Sequence, residues 1–287
     1  MISGDSLLVS LVRLVDALPF PPPPAQRKRG RPQTYSDQLL VKALVVMIIR
    51  RLYTAWALLA FLQQDDPVVA QPRPLLTEHG QCPTRRTWER RLAALPPTLP
   101  GLIGRRGRHW VTVLNPGAQQ GHGTACDSTM VRAHGGVWHK KDRDAGVVPH
   151  SSIDTDAHWS KSGWHGWWYG WKLHLAVALG PLRIPLAAEF TVANVADSEG
   201  APWLFIQLPA EVRYVLGDHH SNTPELRAEG GRHNRDLVAT RRGASPHPEG
   251  GVEVRRIFHN LRSQAIEPFT GLFKHLFEWG GQMPVKG

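Results

Sequence analysis

The stretch "WWYGWKLHLAVAL", residues 167–179, constrains the fold more than any other part of the chain. Its aromatic and β-branched residues alternate with a period of two, which predicts a β-strand. The stretches "TACDSTMVRA" before it and "IPLAAEFTVANV" after it are also predicted strands. The predicted elements that follow are a helix over 197–208, a strand over 212–218, a helix over 223–229, a strand over 236–240 and a closing helix over 265–280. This order predicts an α/β fold with a mixed sheet flanked by helices.

The charge of the chain indicates a polyanionic partner. The net charge is +10 and the sequence pI is about 10.1. Lys and Arg side chains release counterions from phosphates, so nucleic acid is the favoured partner. The alternative is that the basic surface only keeps the protein in solution. Cys82 and Cys126 have no CxxC spacing and exclude a disulfide framework. Because charges interrupt each apolar run, no membrane span is predicted, and we expect a cytoplasmic protein.

The first 95 residues are helical and basic in pattern. The predicted elements are a short helix over 5–18, a Pro-rich basic arm over 19–32, a helix over 36–62 capped by Ser36 or Asp37, and a helix within 82–95 capped by Thr84. The arginines of the last helix are predicted to be exposed for nucleic acid: Arg85, Arg86, Arg90 and Arg91. Pro and Gly then mark residues 96–119 as a linker to a second domain over 120–287.

Three acidic residues are candidates for a metal site. Asp127 lies within a predicted strand, where a carboxylate is costly to bury unless it is paired or binds a metal. Asp218 lies just beyond a strand end, where ligand sites of α/β sheets gather, and Glu267 lies near the start of the closing helix. Taken singly, each acid is an ordinary surface or cap residue. Together they are typical of a site for Mg²⁺, which prefers carboxylate oxygens.

Lys274 follows Glu267 by seven residues, two helical turns, so both side chains are predicted to share one face. A lysine one helical step from a metal-binding carboxylate suits a backbone phosphate. The alternative is an ordinary amphipathic surface helix, because an apolar stripe runs along the same segment.

Four stretches of the second domain together resemble one family. They are "CDSTMVRAHGG", "WSKSGWHGWWYGWKLHLAVA", "VLGDHHSNTPELR" and "EVRRIFHNLRSQAIEPFTGLFK". In this order they resemble the DDE transposases of bacterial insertion sequences, in the group whose end motif is Tyr-x2-Arg-x3-Glu-x6-Lys. The N-terminal "RGRPQTYSDQLLVKALV" and "TRRTWERRL" resemble the helical DNA-binding region of that family more loosely. The resemblance implies an RNase H-like catalytic core behind an all-helical DNA-binding region.

The resemblance also implies roles for single residues. Asp127, Asp218 and Glu267 would be the catalytic acids and metal ligands, and Arg262 and Lys274 the flanking basic residues. The motif departs from the family pattern at three points: His259 replaces the tyrosine, four residues separate Arg262 from Glu267, and Pro268 follows the glutamate. Since proline is tolerated in a first helical turn, the helix is expected to start or kink near Glu267. The early end at "QMPVKG" leads us to expect a truncated copy.

The implied activity is cutting and joining of DNA at insertion-sequence ends with two Mg²⁺ ions, for which Mn²⁺ could substitute. The implied partners are double-stranded DNA, as terminal inverted repeats and as target, and a second copy in a homodimer. Two alternatives stay open: an RNase H-like nuclease without strand transfer, and a catalytically dead DNA-binding derivative.

Two further groups of residues allow more than one interpretation. His219 and His220 could bind zinc, but neighbours on an extended strand point to opposite faces, so Asp218 is the preferred ligand. In the block "HWSKSGWHGWWYGWKLHL", Lys161 and Lys172 are predicted to contact DNA. Trp168, Tyr169 and Trp171 are predicted to pack in the core. For Trp159, Lys161 and Trp164, base stacking and a structural role remain equal alternatives.

Overall fold

The computed structural model describes residues 7–18, 20, 34–94, 99–114, 122–163, 166–180, 182–239 and 251–276. They form two compact units, Met1–Leu99 and Pro100–Gly287. The predicted basic arm lies almost wholly outside the described residues, as do Trp164 and the side chain of His259.

Unit 1 is built from short helices around an apolar core. Its helices are α1 (Leu7–Leu14), α2 (Asp37–Arg50), α3 (Ala55–Gln63), α4 (Pro67–Ala70) and α5 (Arg85–Ala93). Ser36 and Thr84 cap α2 and α5 as predicted, since each side-chain oxygen accepts a backbone N–H of the first turn. Trp88 of α5 is almost fully buried in the core that α1, α2 and α3 share.

The helix predicted over 36–62 is two helices. Helix α2 ends at Arg51, which adopts a left-handed backbone conformation with φ of 56°. Thr54 then starts α3, because its hydroxyl accepts the N–H of Ala57 at 3.0 Å. No single helix of the described residues is long and apolar enough to cross a membrane; α2 and α3 pass that test only as a pair bent by 83°.

Unit 2 contains a six-stranded mixed sheet. Its strands are β1 (Gly123–Arg132), β2 (His158–Ser162), β3 (Gly166–Ala178), β4 (Pro185–Val192), β5 (Tyr214–Gly217) and β6 (Asp236–Ala239). The long strand β3 pairs antiparallel with β1, β2 and β4, while β1, β5 and β6 run parallel to one another. The helices are α6 (Leu99–Leu114), α7 (Lys140–Asp144), α8 (Asp197–Gln207), α9 (Pro224–Arg232) and α10 (Gly251–Leu276). The mixed sheet flanked by helices confirms the predicted fold class.

Alternate residues of β1 and β3 face two separate cores. Leu204 and Phe205 of α8 pack on Ala176 and its neighbours on one face. Ile266 of α10 packs with Ala125 and Leu175 on the other face. Successive residues of a strand point to opposite faces, so Asp127 lies on the α10 side of β1 and Ser128 on the α8 side.

Three further elements differ from their predictions. Residues 99–114 of the expected linker form helix α6, and its buried Leu102 belongs to unit 2. Lys161 and Trp159 lie in strand β2, not in a loop.

The third difference is helix α10, which begins at Gly251 and runs through Pro268. Of the expected start or kink near Glu267, the start is therefore wrong. Proline has no N–H for the carbonyl four residues earlier, that of Gln264. The Arg183 Nε donates to this carbonyl at 2.7 Å and so replaces the missing helical hydrogen bond.

Candidate active site

The parallel register of β1 and β5 brings two of the three predicted acids together. Thr124 pairs with Val215 and Ala125 with Leu216, an offset of 91 residues. Asp127 lies two residues after Ala125 and Asp218 two residues after Leu216, and the charge of Asp218 acts on the Asp127 carboxyl. Strand β5 ends at Gly217, so both carboxylates lie where the two parallel strands separate.

Arg262 of α10 forms an ion pair with Asp127, with 2.7 Å between its Nη2 and Oδ2. The side chains are 12% and 29% exposed, so the pair is largely shielded from solvent. Arg262 therefore contacts the catalytic candidate directly, on the face of α10 that carries buried Ile266. Its Nε is buried without a hydrogen-bond partner in the described structure.

Burial raises the pKa of the Asp127 carboxyl above its ordinary value. Arg262 and the Ser128 amide oppose this shift, whereas the negative charges of Asp197 and Asp218 add to it. A carboxylate in this setting is stabilised by added positive charge. Two adjacent carboxylates with oxygen donors only are the chemistry that hard divalent cations require, so the residues fit such an ion. Burial also raises the pKa of the adjacent Cys126 to about 12, which excludes this thiol as a nucleophile near neutral pH.

The two histidines lie differently from the prediction. Asp218 caps a single turn of 3₁₀-helix, His219–Ser221, and its Oδ1 accepts the N–H and the hydroxyl of Ser221, each at 3.0 Å. The rings of His219 and His220 are 3.9 Å apart, so the prediction of opposite faces is wrong. Ligand atoms of Asp218, His219 and His220 lie within 4.8 Å of one another. Both histidines are exposed and offer ligands beside the acid pair.

Glu267 lies on α10 and is exposed. The negative charges that act on the Asp127 carboxyl are those of Asp197 and Asp218. Glu267 lies five positions after Arg262 along the helix, which is a rotation of about 140° around the axis. Lys274 is half-buried, and burial lowers the pKa of its ammonium group. The spacing of Glu267 and Lys274 puts both on one helix face, as predicted.

The structure corrects two of the predicted DNA-binding residues. Lys172 is 8% exposed, and its Nζ donates to the Val195 carbonyl at 2.7 Å and lies 3.3 Å from Asp197. Arg91 pairs with Asp37 at the start of α2, and its side chain is 14% exposed. Both side chains are used inside the fold and are not surface contacts. Lys161, Arg86 and Arg90 are exposed, and Arg85 is exposed while paired with Glu89.

The tryptophan block is mostly structural. Trp168 and Tyr169 are buried, and Trp171 stacks on Phe190 with 5.4 Å between ring centroids. The core role predicted for these three residues is therefore confirmed. Trp159 donates its Nε1 hydrogen to the Trp138 carbonyl at 2.8 Å, which gives it a structural role.

Asp197, the first residue of α8, is a member of the site that the sequence did not reveal. The Ser128 hydroxyl donates to its Oδ1 at 2.6 Å, and the ring of buried His174 lies 3.7 Å away. An acid at a helix start reads as an ordinary first-turn residue. The sequence did contain one signal for such an acid. Lys172 is a charged residue inside an apolar strand, and a buried lysine requires a partner of opposite charge.

His174 predicts a pH dependence of stability. It is 2% exposed, and burial lowers its pKa from 6.5 to about 4. The unfolded chain binds a proton at this histidine near pH 6.5, whereas the folded chain does so only near pH 4. The contribution of neutral His174 to stability is therefore fully present above pH 6.5 and is lost as the pH falls toward 4. A difference of one bound proton changes the free energy of unfolding by about 1.4 kcal/mol per pH unit. We expect His174→Gln to show a shallower slope in urea unfolding between pH 6.5 and 4.5. Exposed His158→Gln is the control; equal slopes in wild type and His174→Gln would contradict the prediction.

One comparison with known proteins covers the sequence around this site. The fold and the carboxylate pair define an α/β protein with a candidate site for divalent cations. The sequence model of the family described as "Transposase DDE domain" matches residues 119–241. Residues 119–241 are therefore similar in sequence to the transposase DDE domain, and the matched segment contains Asp127 and Asp218 but not Glu267. No curated protein sequence matches the chain.

Solved structures similar to the chain include Mos1 transposase assemblies. The pre-cleavage Mos1 transpososome and the Mos1 transposase paired-end complex with the left transposon end each have 12% identity and a TM-score of 0.24, over 89% of this chain and 77% of theirs. The Mos1 strand transfer complex has 12% identity and a TM-score of 0.21, over 90% of this chain and 82% of its own. TM-scores this low carry no argument about the family. The similarity to transposases therefore rests on the sequence match over residues 119–241.

Proposed function

We propose that this chain is a transposase that cuts and joins DNA at the two ends of an insertion sequence. The observation that best supports this proposal is the parallel pairing of β1 and β5, next to which Asp127 and Asp218 lie. In the first step, water attacks a phosphodiester and the bond to the 3′ oxygen breaks, leaving a 3′-hydroxyl and a 5′-phosphate. In the second, this hydroxyl attacks a target phosphodiester and displaces the target's 3′ oxygen.

Asp127 and Asp218 would hold two Mg²⁺ ions, for which Mn²⁺ could substitute. When bound, such ions supply the charge that activates the attacking oxygen and stabilises the leaving oxygen. Arg262 would orient the Asp127 carboxylate through this ion pair. Glu267 is proposed as the third acid, which requires its exposed side chain to turn toward the aspartates when DNA and metal bind. Lys274, on the same helix face, would contact the backbone phosphate.

We further propose that residues 1–95 bind double-stranded DNA at the terminal inverted repeats and that residues 120–287 are the catalytic domain. A homodimer would hold two ends together, in the cytoplasm and at the nucleoid of a prokaryote. Lys161 is exposed on β2 and its Nζ lies 5.9 Å from the Trp167 ring centroid, which suits a further DNA contact.

The test is a cleavage assay with the gene and its native flanking DNA on a plasmid. Purified protein is added with Mg²⁺, and in parallel with EDTA. Breaks at both element ends that disappear with EDTA, followed by joined products, are the expected result. Breaks without joined products would indicate the nuclease alternative. Binding without breaks would indicate a catalytically dead derivative.

The arginines of α5 allow DNA binding to be separated from stability. Arg86→Ala and Arg90→Ala remove exposed charges, so each should weaken DNA binding and reduce the salt slope by about 1. Neither should change the free energy of unfolding by more than about 0.5 kcal/mol. Arg91→Ala breaks the pair with Asp37 and the hydrogen bonds to the carbonyls of Tyr35 and Ser36, so it should lower the melting temperature. Equal stability of all three variants would contradict this division.

A further inference from the structure

A polar bridge connects strands β1 and β3 on the face opposite Asp127. Asp197 accepts the Ser128 hydroxyl at 2.6 Å and lies 3.3 Å from the Lys172 Nζ. Lys172 also donates to the Val195 carbonyl, just before α8. The bridge therefore joins β1, β3 and the start of α8 through one carboxylate.

The bridge lies directly beside the proposed metal ligand. Ser128 is the next residue after Asp127, and its backbone N–H donates to the Asp127 Oδ1 at 2.9 Å. Ser128 thus holds Asp127 with its amide and Asp197 with its hydroxyl. Any rotation of the strand at Ser128 moves the Asp127 oxygens.

Strand β1 needs such a support at this point. Its recorded pairing with β5 ends at Ala125, so beyond that residue β1 is paired only with β3. On the α10 side, Arg262 holds the other oxygen, Oδ2, of Asp127. One Asp127 oxygen thus accepts the Ser128 backbone N–H, and the other is paired with Arg262.

We propose that Asp197 is a positioning residue for Asp127, acting through Ser128 and held in place by Lys172. This inference rests on the proposed function, because it assumes that Asp127 is a metal ligand. Groups that orient a ligand without touching the metal commonly change metal affinity by about 10- to 100-fold when removed. The bridge would therefore set the affinity of the site for divalent cations.

The test measures Mn²⁺ binding to the full-length chain by electron paramagnetic resonance, below the melting temperature of each variant. Ser128→Ala removes only the hydroxyl, and Asp197→Asn removes the charge. Both are expected to weaken Mn²⁺ binding by about 10- to 100-fold. Ser128→Thr restores a hydroxyl and should restore much of the affinity. Asp236→Asn, at an exposed ion pair with Arg213, is the matched control and should bind as wild type.

The outcomes separate this inference from the proposed function. If Asp127→Asn abolishes binding while Ser128→Ala and Asp197→Asn bind as wild type, the bridge has no positioning role and the inference fails alone. A loss with Asp197→Asn but none with Ser128→Ala would overturn it as well, since Asp197 would then act without Ser128. If Asp127→Asn binds as wild type, the metal-site assignment and the inference both fail. A lower melting temperature with unchanged affinity would show a purely structural role.

Discussion

Asp127→Asn and Asp218→Asn are each expected to lower the rate of metal-dependent DNA cleavage by about 10³-fold or more. Each change removes one charge from the carboxylate pair and leaves its size unchanged. Loss of metal-based charge stabilisation amounts to several kcal/mol, which corresponds to that change in rate. The measurement is single-turnover cleavage of the flanking DNA at saturating Mg²⁺.

Controls separate catalysis from binding and folding in this experiment. Asp236→Asn changes an exposed carboxylate in the same sheet and should cleave as wild type. Both active-site variants should still bind the flanking DNA, because the basic surface is unchanged. Cleavage by Asp127→Asn at the wild-type rate would exclude the pair as the catalytic centre.

Glu267→Gln decides whether the exposed glutamate joins the pair during the reaction. If it does, the variant should lose cleavage as fully as Asp127→Asn. Wild-type cleavage by Glu267→Gln would restrict the catalytic acids to the sheet.

Gly200→Ala is expected to destabilise unit 2 by about 1–3 kcal/mol or more. A Cβ at this position of α8 would lie 2.5–2.7 Å from three ring atoms of His174. His174 is buried and its Nε2 is hydrogen-bonded to the Thr191 hydroxyl at 3.0 Å, so the ring cannot move aside freely. The measurement is the free energy of unfolding in urea at pH 7.5.

Gly271→Ala in α10 is the matched control. It is also a helical glycine, but its Cβ would meet nothing within 4 Å. Because alanine is the better helix former, this change should stabilise the helix by about 0.5–1 kcal/mol. The two substitutions are expected to change the free energy of unfolding in opposite directions, which tests the packing of α8 on β3. A Gly200→Ala variant as stable as wild type would show that α8 can move away from β3 without loss.

The sequence predicted those parts of unit 2 whose periodicity is strong. Strand β3 alternates over a long run, and β1, β4, β5 and β6 are bounded by turn residues, so their existence could be predicted. Strand β2, "HWSKS", has too few apolar residues to show alternation, and its position follows from pairing with β3. Long-range pairing of this kind has no local signature.

Helix α6 was not predicted because its glycines resemble those of a linker. A Cβ at Gly107 would lie 2.3 Å from the Pro185 carbonyl oxygen, and one at Gly104 3.0 Å from that of Leu186. These glycines allow the helix to approach the backbone of β4 closely. Their role depends on a neighbour that is distant in sequence.

The candidate site, like the fold, could be predicted only in part from the sequence. Asp127 was predicted from its position within a strand and Asp218 from its position just beyond one, and β1 and β5 pair in parallel next to both. Asp197 could not be assigned, because its partners Ser128 and Lys172 lie on two other elements. The position of Glu267 depends on where α10 begins, which Pro268 obscured.

The contact of Arg183 with the Gln264 carbonyl couples the choice of residue at position 183 to that at position 268. With proline at 268, a donor at 183 supplies the hydrogen bond that the helix cannot make; with any other residue at 268, the helix satisfies its own carbonyl. We expect related sequences to vary at the two positions together, although these lie 85 positions apart. An engineer who transfers this helix to another scaffold keeps this hydrogen bond by transferring the arginine with it.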